Sequence, residues 1–300
     1  MLFPKDGTAQ GVAKQRLIES LAPPNRRIIH DPFAERFVIG SSLIKIMGHK
    51  LNVKLTQKLA PGFHEHLMAR TRFIDDLVER IAAAGIEQYV ILGAGYDMRA
   101  HRLKLPLTMQ LFEVDQLQVQ RRKISKLPKA LKISDRVSYV SVDFNHQSLK
   151  AQLLNAGFDT RKSSVFTLEG VSQYITKAAL CSTLSELVKL TESKRSTFFM
   201  SYVDYRLRDD PKACFGSGYP WPEKKAATIM KLAAKVGEPW ISLYSAEEIE
   251  QTLSEFGFTI TENKSLEDLN ETYFTPVGRT LSENHIFKLE HFVVAEHSSD

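Results

Sequence analysis

The sequence predicts an open α/β fold in which a mostly parallel sheet presents a ligand site along one edge. Three observations carry that expectation. Short apolar runs alternate with helical patterns from Tyr89 onward, Gly93-Ala94-Gly95 follows the first run directly, and acidic residues fall just beyond several of the runs.

The chain has 300 residues, 43% hydrophobic and 25% charged, which describes a globular protein and excludes disordered, collagen-like and small disulfide-stapled classes. A formal net charge of +5 is too small to argue for nucleic acid. The basic run Arg121-Arg122-Lys123, with Lys126, Lys129 and Lys132, reads as a solvated helix face. Cys181 and Cys214 lie 33 positions apart without a Cys-x-x-Cys spacing, so a reducing compartment is expected. Residues 1–6 carry no apolar core of signal-peptide length and no later run would span a bilayer. A cytoplasmic protein with neither membrane nor nucleic-acid partner is the expectation.

Taken in chain order, residues 8 to about 85 read as helical. Pro23-Pro24 and Asp31-Pro32 interrupt the first part, and a strongly amphipathic stretch from His66 to Ala84 closes at Gly85, a helix C-cap. Five strands are then predicted, at Tyr89–Leu92, Met109–Phe112, Val137–Val142, Ser164–Leu168 and Thr197–Met200. The connections between them are long enough for right-handed crossovers, one of them a helix capped by Thr176. From Tyr202 to about Trp240 the chain is rich in Pro, Gly, aromatic and basic residues and reads as an insertion made of loops, resembling a lid. Ser245-Ala246-Glu247-Glu248 is a capping box opening a helix that ends near Gly257. Phe258–Thr261 and Glu290–Glu296 complete the sheet as a terminal antiparallel pair.

The glycine turn alone says little, because a strand-to-helix turn needs glycine for steric reasons whatever it binds. What surrounds it discriminates. A dinucleotide fingerprint would place a third glycine where this chain has Met98, and Asp97 puts a carboxylate where a pyrophosphate would sit. S-adenosylmethionine (SAM) has no phosphate and carries a sulfonium and an ammonium, so an acidic cradle attracts it. Asp97, Asp115, Asp143 and Glu169 each follow a different predicted strand. Asp115 lies 22 residues beyond Gly93, the spacing from which a carboxylate reaches ribose hydroxyls, with Glu113 as a nearby rival. Asp143 can accept from an exocyclic amine, and Phe144 offers an apolar face to a purine.

Arg70 lies within the apolar stripe of its helix (Leu67, Ile74, Leu77, Ile81), so it needs an anion. That anion is the ligand's methionyl carboxylate or an internal acid such as Asp97. Arg72 shares a polar face with Asp75, Asp76, Glu79 and Arg80 and reads as a solvated ion-pair residue. His64-Glu65-His66 lacks the i, i+4 spacing of helical zinc ligands, so no metal is expected.

The stretch Tyr89-Val90-Ile91-Leu92-Gly93-Ala94-Gly95-Tyr96-Asp97-Met98-Arg99-Ala100-His101-Arg102-Leu103 resembles the signature of the leucine carboxyl methyltransferase-like SAM-dependent methyltransferases. The likeness extends, in order, to Asp31-Pro32-Phe33-Ala34, Ala69-Arg70-Thr71-Arg72-Phe73-Ile74-Asp75, Phe112-Glu113-Val114-Asp115, Val142-Asp143-Phe144 and Glu169-Gly170-Val171-Ser172-Gln173-Tyr174. It implies a Rossmann-like seven-stranded methyltransferase sheet with an N-terminal helical cover (1–85). The SAM-binding core (86–300) would carry a lid-like insertion at about 202–240, and the whole would form one integrated domain. Methyl-donor contacts carry over as Arg70, Gly93, Asp115, Asp143, Phe144 and Glu169, joined by Gly95 and Asp97 of the turn. A basic residue near the N-terminus is also implied, for which Lys14 or Arg16 could stand.

The expected activity is a SAM-dependent O-methyl transfer to a carboxylate of a small molecule or a protein C-terminus. A carboxylate is already ionised at neutral pH and needs no base, and no dedicated His or Lys stands at a strand end. Tyr174, Tyr202, Tyr205, Arg206, Arg208 and Arg279 are the candidates for holding the acceptor. A nicotinamide-dependent oxidoreductase and a non-catalytic SAM-binding module are the competing readings.

Overall fold

The structure, a computed structural model, describes residues 7–132, 135–143, 147–191, 194–235 and 237–297. The chain divides into two compact units. The first comprises Met1–Asp75, Val203–Trp240 and Lys264–His291, and the second Asp76–Tyr202, Ile241–Asn263 and Phe292–Asp300.

A seven-stranded, mostly parallel sheet organises the second unit, with strands β1 (Gln88–Leu92), β2 (Gln110–Asp115), β3 (Val137–Ser141), β4 (Ser164–Leu168), β5 (Ser196–Val203), β6 (Phe258–Lys264) and β7 (Glu290–His297). Their order is β3-β2-β1-β4-β5-β7-β6, and β1 pairs in parallel with both β2 and β4. The chain therefore reverses its winding between β1 and β4, the place where open α/β sheets leave a crevice beyond the strand ends. All five β1 positions are buried, which is why Tyr89–Leu92 reads as a continuous apolar run rather than an alternation. Val90, Leu92, Phe112, Val114, Phe166, Leu168 and Phe198 form one core with Leu180, Leu184 and Leu187 from the helix Lys177–Leu190.

Local signals place the helix starts. Thr176 accepts a hydrogen bond from the Ala179 N–H at 3.1 Å, and Ser245 and Glu248 make both bonds of a capping box. At Gly85 the chain turns with φ +89°, two residues after the helix Phe63–Ala83 ends.

In the first unit, α1 (Gly7–Ser20) and α2 (Ser41–Leu59) pack Leu17 and Ile18 against Ile44 and Val53. α3 (Phe63–Ala83) contributes its part through Asp75. α2 is broken at Gly48, where φ is +68°. The Asn52 amide bridges the break, donating to the Ile44 carbonyl at 2.9 Å and the Gly48 carbonyl at 2.7 Å. The segment expected to be loops is more regular than its Pro and Gly content suggested, since Pro222–Lys235 is a 14-residue helix. Proline is tolerated in a first helical turn, and the alanine- and lysine-rich stretch that follows has high helix propensity. Cys181 and Cys214 are both free thiols.

Candidate functional site

Each strand of the β3-β2-β1-β4 half of the sheet delivers an acid to the same edge. Asp115 is the last residue of β2 and pairs in register with Ser141, the end of β3, while Asp143 follows two residues later. Leu92 and Leu168 end β1 and β4 in register, and Asp97 and Glu169 lie just beyond them. The acids predicted from spacing thus converge on one rim of the second unit. Phe144, expected to face a purine, lies outside the described residues.

The turn after β1 is shaped by its glycines. Gly93 has φ +69°, and a Cβ added there would meet the Val171 Cγ2 at 2.5 Å, so conformation and space both require glycine. Gly95 has φ +46° and aims its N–H at the Asp115 Oδ2, 2.6 Å away. The Gln116 N–H donates to the Asp115 Oδ1, also at 2.6 Å. Burial pushes the Asp115 carboxyl up, and these two backbone donors act against it. Both oxygens are thereby fixed in direction while each keeps a further lone pair for a hydroxyl donor. Met98 is fully buried where a dinucleotide fingerprint would need glycine.

Asp97 and Glu169 are not independent carboxylates. Buried Arg99 donates to the Asp97 Oδ2 and the Glu169 Oε2, each at 2.5 Å, and its N–H bonds the Asp97 Oδ1 at 2.7 Å. One guanidinium thus ties the end of β4 to the glycine turn and offsets one of the two charges. Sequence reasoning gave Arg99 no role, although an arginine beside two strand-end acids is a usable signal.

Two expectations for this region are overturned. Glu113, the rival to Asp115, is only 1% exposed, and its Oε2 accepts from the Lys123 Nζ at 2.6 Å. Lys123, expected on a solvated face, is itself 1% exposed and also donates to the Asp97 carbonyl. The reason is helical phase. Gln120 and Lys123, three apart in the helix Leu117–Lys126, are both buried, and the Gln120 amide bonds the Glu113 and Val140 carbonyls. Burial drives the Glu113 carboxyl up to about 7, with the Lys123 charge and hydrogen bond opposing it.

His101 stands beside this pair, its Nε2 2.9 Å from the Tyr139 hydroxyl. Burial pushes its imidazole down to about 4, and the charge of Lys123 adds to that. Because the unfolded chain takes up the proton near 6.5, the contribution of neutral His101 is complete above that pH and is lost as pH falls toward 4. Replacing His101 with glutamine is expected to remove about 2 kcal/mol of stability loss between pH 7 and pH 4.5. Urea melts of both proteins at the two pH values check this, and parallel pH profiles would refute it.

In the first unit, Arg70 meets an internal acid, Glu290. Its Nη1 donates to both oxygens of Glu290, at 2.7 and 2.8 Å, and the His66 Nε2 lies 2.7 Å from the Glu290 Oε2. Arg16 is buried on Asp31 of the Asp-Pro-Phe-Ala motif at 2.9 Å, while Lys14 is exposed on α1. Arg72 is exposed, as expected of a polar face, but Asp75 is buried. Among the acceptor candidates, Tyr202 is buried with its hydroxyl 3.4 Å from the Asn263 Nδ2, and Tyr174 closes a short 3-10 turn. Arg206 forks onto Asp204, Arg208 pairs with Asp209, and the Arg279 Nη1 donates to the Glu19 Oε1 at 2.6 Å. Tyr205 is exposed. Among the described residues no helix is long and apolar enough to cross a membrane.

Comparison with known proteins agrees with this geometry. Residues 9–188 match the family described as leucine carboxyl methyltransferase. The Bacillus subtilis protein YktD, named as an S-adenosyl-L-methionine-dependent methyltransferase, is 31% identical over 230 residues, 76% of this chain and 71% of its own length. A Mycobacteroides abscessus protein similarly named is 36% identical over 176 residues, and the match spans 57% of this chain and 55% of that protein. Crystal structures of a DUF574-family protein from Streptomyces avermitilis and of a protein from Thermobifida fusca named as a methyltransferase share the fold. Their TM-scores are 0.58 and 0.56, each at 15% identity over 95% of this chain, covering 97% and 94% of those chains.

Proposed function

The chain belongs to the leucine carboxyl methyltransferase family, and on that premise we propose that it transfers a methyl group from SAM to a carboxylate oxygen of a small molecule or a protein C-terminus. The observation that carries this reading is the acidic rim of the second unit, where Asp115 is aimed by the Gly95 and Gln116 N–H groups. A rim with this charge repels a pyrophosphate and attracts a cationic nucleoside. Asp115 accepts from the ribose hydroxyls and Asp143 from the adenine amine, while the Gly93 turn lets the backbone approach closely.

When bound, SAM supplies an electrophilic methyl carbon; the acceptor oxygen forms the new C–O bond as the C–S electron pair leaves with sulfur. An ionised carboxylate needs no proton removed, so the protein's work is alignment and exclusion of water. This agrees with the buried state of the titratable groups nearest the rim: Glu113 is consumed by Lys123, and His101 is held neutral by burial. Neither is offered as a base.

Incubating the protein with deuterated-methyl SAM and a cell extract, followed by mass spectrometry of metabolites and proteins, tests the acceptor class. The expected product is a base-labile methyl ester. A labelled ether or amine would refute the carboxylate reading, and binding of SAM without any labelled product would favour a non-catalytic module.

A further inference from the structure

The first unit contains a further buried polar cluster. Glu19 and His64 are fully buried, and they meet His49 with one donor atom from each residue lying within 4.8 Å of the others. The three residues come from α1, the part of α2 beyond its break at Gly48, and the first turn of α3. The His64 Nε2 is 2.9 Å from the Glu19 Oε2, and the His49 Nε2 is 3.4 Å from the same oxygen. We propose that Glu19 Oε2, His49 Nε2 and His64 Nε2 form a binding site for a zinc-like divalent metal ion.

Distances, donor chemistry and orientation support it. The 3.4 Å between the His49 Nε2 and the Glu19 Oε2 suits the chemistry, because donors about 2.0–2.1 Å from a tetrahedral zinc ion lie roughly 3.4 Å apart; the 2.9 Å His64 contact must open slightly to admit the ion. Imidazole and carboxylate are the donor types a borderline ion takes up. The cluster is also oriented from behind. The His64 Nδ1 lies 2.8 Å from the Gln15 Oε1, one helical turn before Glu19, so an Nδ1–H donated there leaves the Nε2 lone pair facing Glu19. The other carboxylate oxygen, Oε1, is occupied by the Ile28 N–H and the Arg279 guanidinium, both at 2.6 Å, which turns Oε2 toward the histidines.

The remaining features are an orphan and an opening. The His49 Nε2 is buried without a hydrogen-bond partner, since its approach to Glu19 is close but poorly directed for a proton. A ligand lone pair aimed at a shared point gives that nitrogen a role. His49 also lines a cavity of about 610 Å³ with Gly48, Arg26 and Arg279, which gives a fourth ligand such as water a way in. Arg279 sits on Oε1 and fixes the direction of the carboxylate, and the two histidines would bind the ion as neutral imidazoles. The ion would staple α1, α2 and α3 together.

The test uses the full-length protein stripped by a chelator and titrated with Zn²⁺ and, for its absorption spectrum, Co²⁺. The expected result is one ion per chain with a dissociation constant in the micromolar range or tighter, a Co²⁺ spectrum of tetrahedral character, and a melting temperature raised by several degrees. His49→Ala, at the least buried of the three positions, should weaken binding at least 100-fold and abolish the melting shift. His64→Gln should do likewise if it folds. Absence of binding at millimolar Zn²⁺, or binding that His49→Ala leaves unchanged, would overturn the site and assign the cluster to protons alone.

Discussion

Replacing Lys123 with methionine is expected to lower the folding free energy by about 3–5 kcal/mol near pH 8, a loss read from urea melts. The ammonium is buried and is the hydrogen-bonded partner of an equally buried Glu113. Removing one member leaves a carboxylate that can neither reach water nor find a counter-charge. It can escape only by taking a proton, and that fixes the sign of the pH dependence. The folded Glu113 carboxyl already titrates near 7, against 4.5 when unperturbed. Losing the Lys123 charge raises it further. A carboxyl raised on folding contributes its stability below its unfolded value and loses it as pH rises through the folded one. The Lys123→Met defect is therefore smallest near pH 5 and grows toward pH 8. Glu113→Gln in the same chain should recover a large part of it, because no buried charge is then left. A defect independent of pH and not relieved by Glu113→Gln would show that packing rather than charge is responsible. The variant should also weaken the methyl-donor site, since Lys123 holds the Asp97 carbonyl of the glycine turn.

Asp115→Ala is expected to weaken SAM binding about 10- to 100-fold while the fold persists, the range corresponding to loss of hydrogen bonds to a charged acceptor. The residue ends β2 with each oxygen fixed by its own backbone donor. That arrangement predicts a graded series. Asn in place of Asp115 can accept from only one of the Gly95 and Gln116 N–H groups and must turn its amide toward the other. Its affinity should fall between wild type and alanine. Calorimetric titration, with melting temperatures as a control for folding, measures both variants, and equal affinities across the three proteins would remove Asp115 from the site.

Much of the fold was legible because its signals are local. Runs of four to six mostly apolar residues marked the parallel strands, and Thr176 and Ser245 marked helix starts through bonds spanning three residues. Asp97, Asp115, Asp143 and Glu169 could be placed together because strand ends in a parallel sheet share an edge, so position in the pattern translates into position in space. What stayed hidden depended on partners far along the chain or on helical phase. Arg70 was recognisable as needing an anion, but Glu290 lies 220 positions away and nothing in the spacing selects it over Asp97. Lys123 sits in a basic run whose neighbours are solvated, and only its phase relative to Gln120 turns it inward. The Glu19, His49 and His64 cluster draws on three helices, so no motif with a short spacing could disclose it. The segment around Pro222 misled in the opposite direction, because its prolines and glycines concealed a helix that begins at the last of them.

Calorimetric titration of the purified protein with SAM and with a nicotinamide dinucleotide, side by side, asks most directly whether the acidic rim selects a cationic, phosphate-free nucleoside. Saturable binding of SAM with no heat from the dinucleotide is the predicted result; tight binding of the dinucleotide alone would contradict the account.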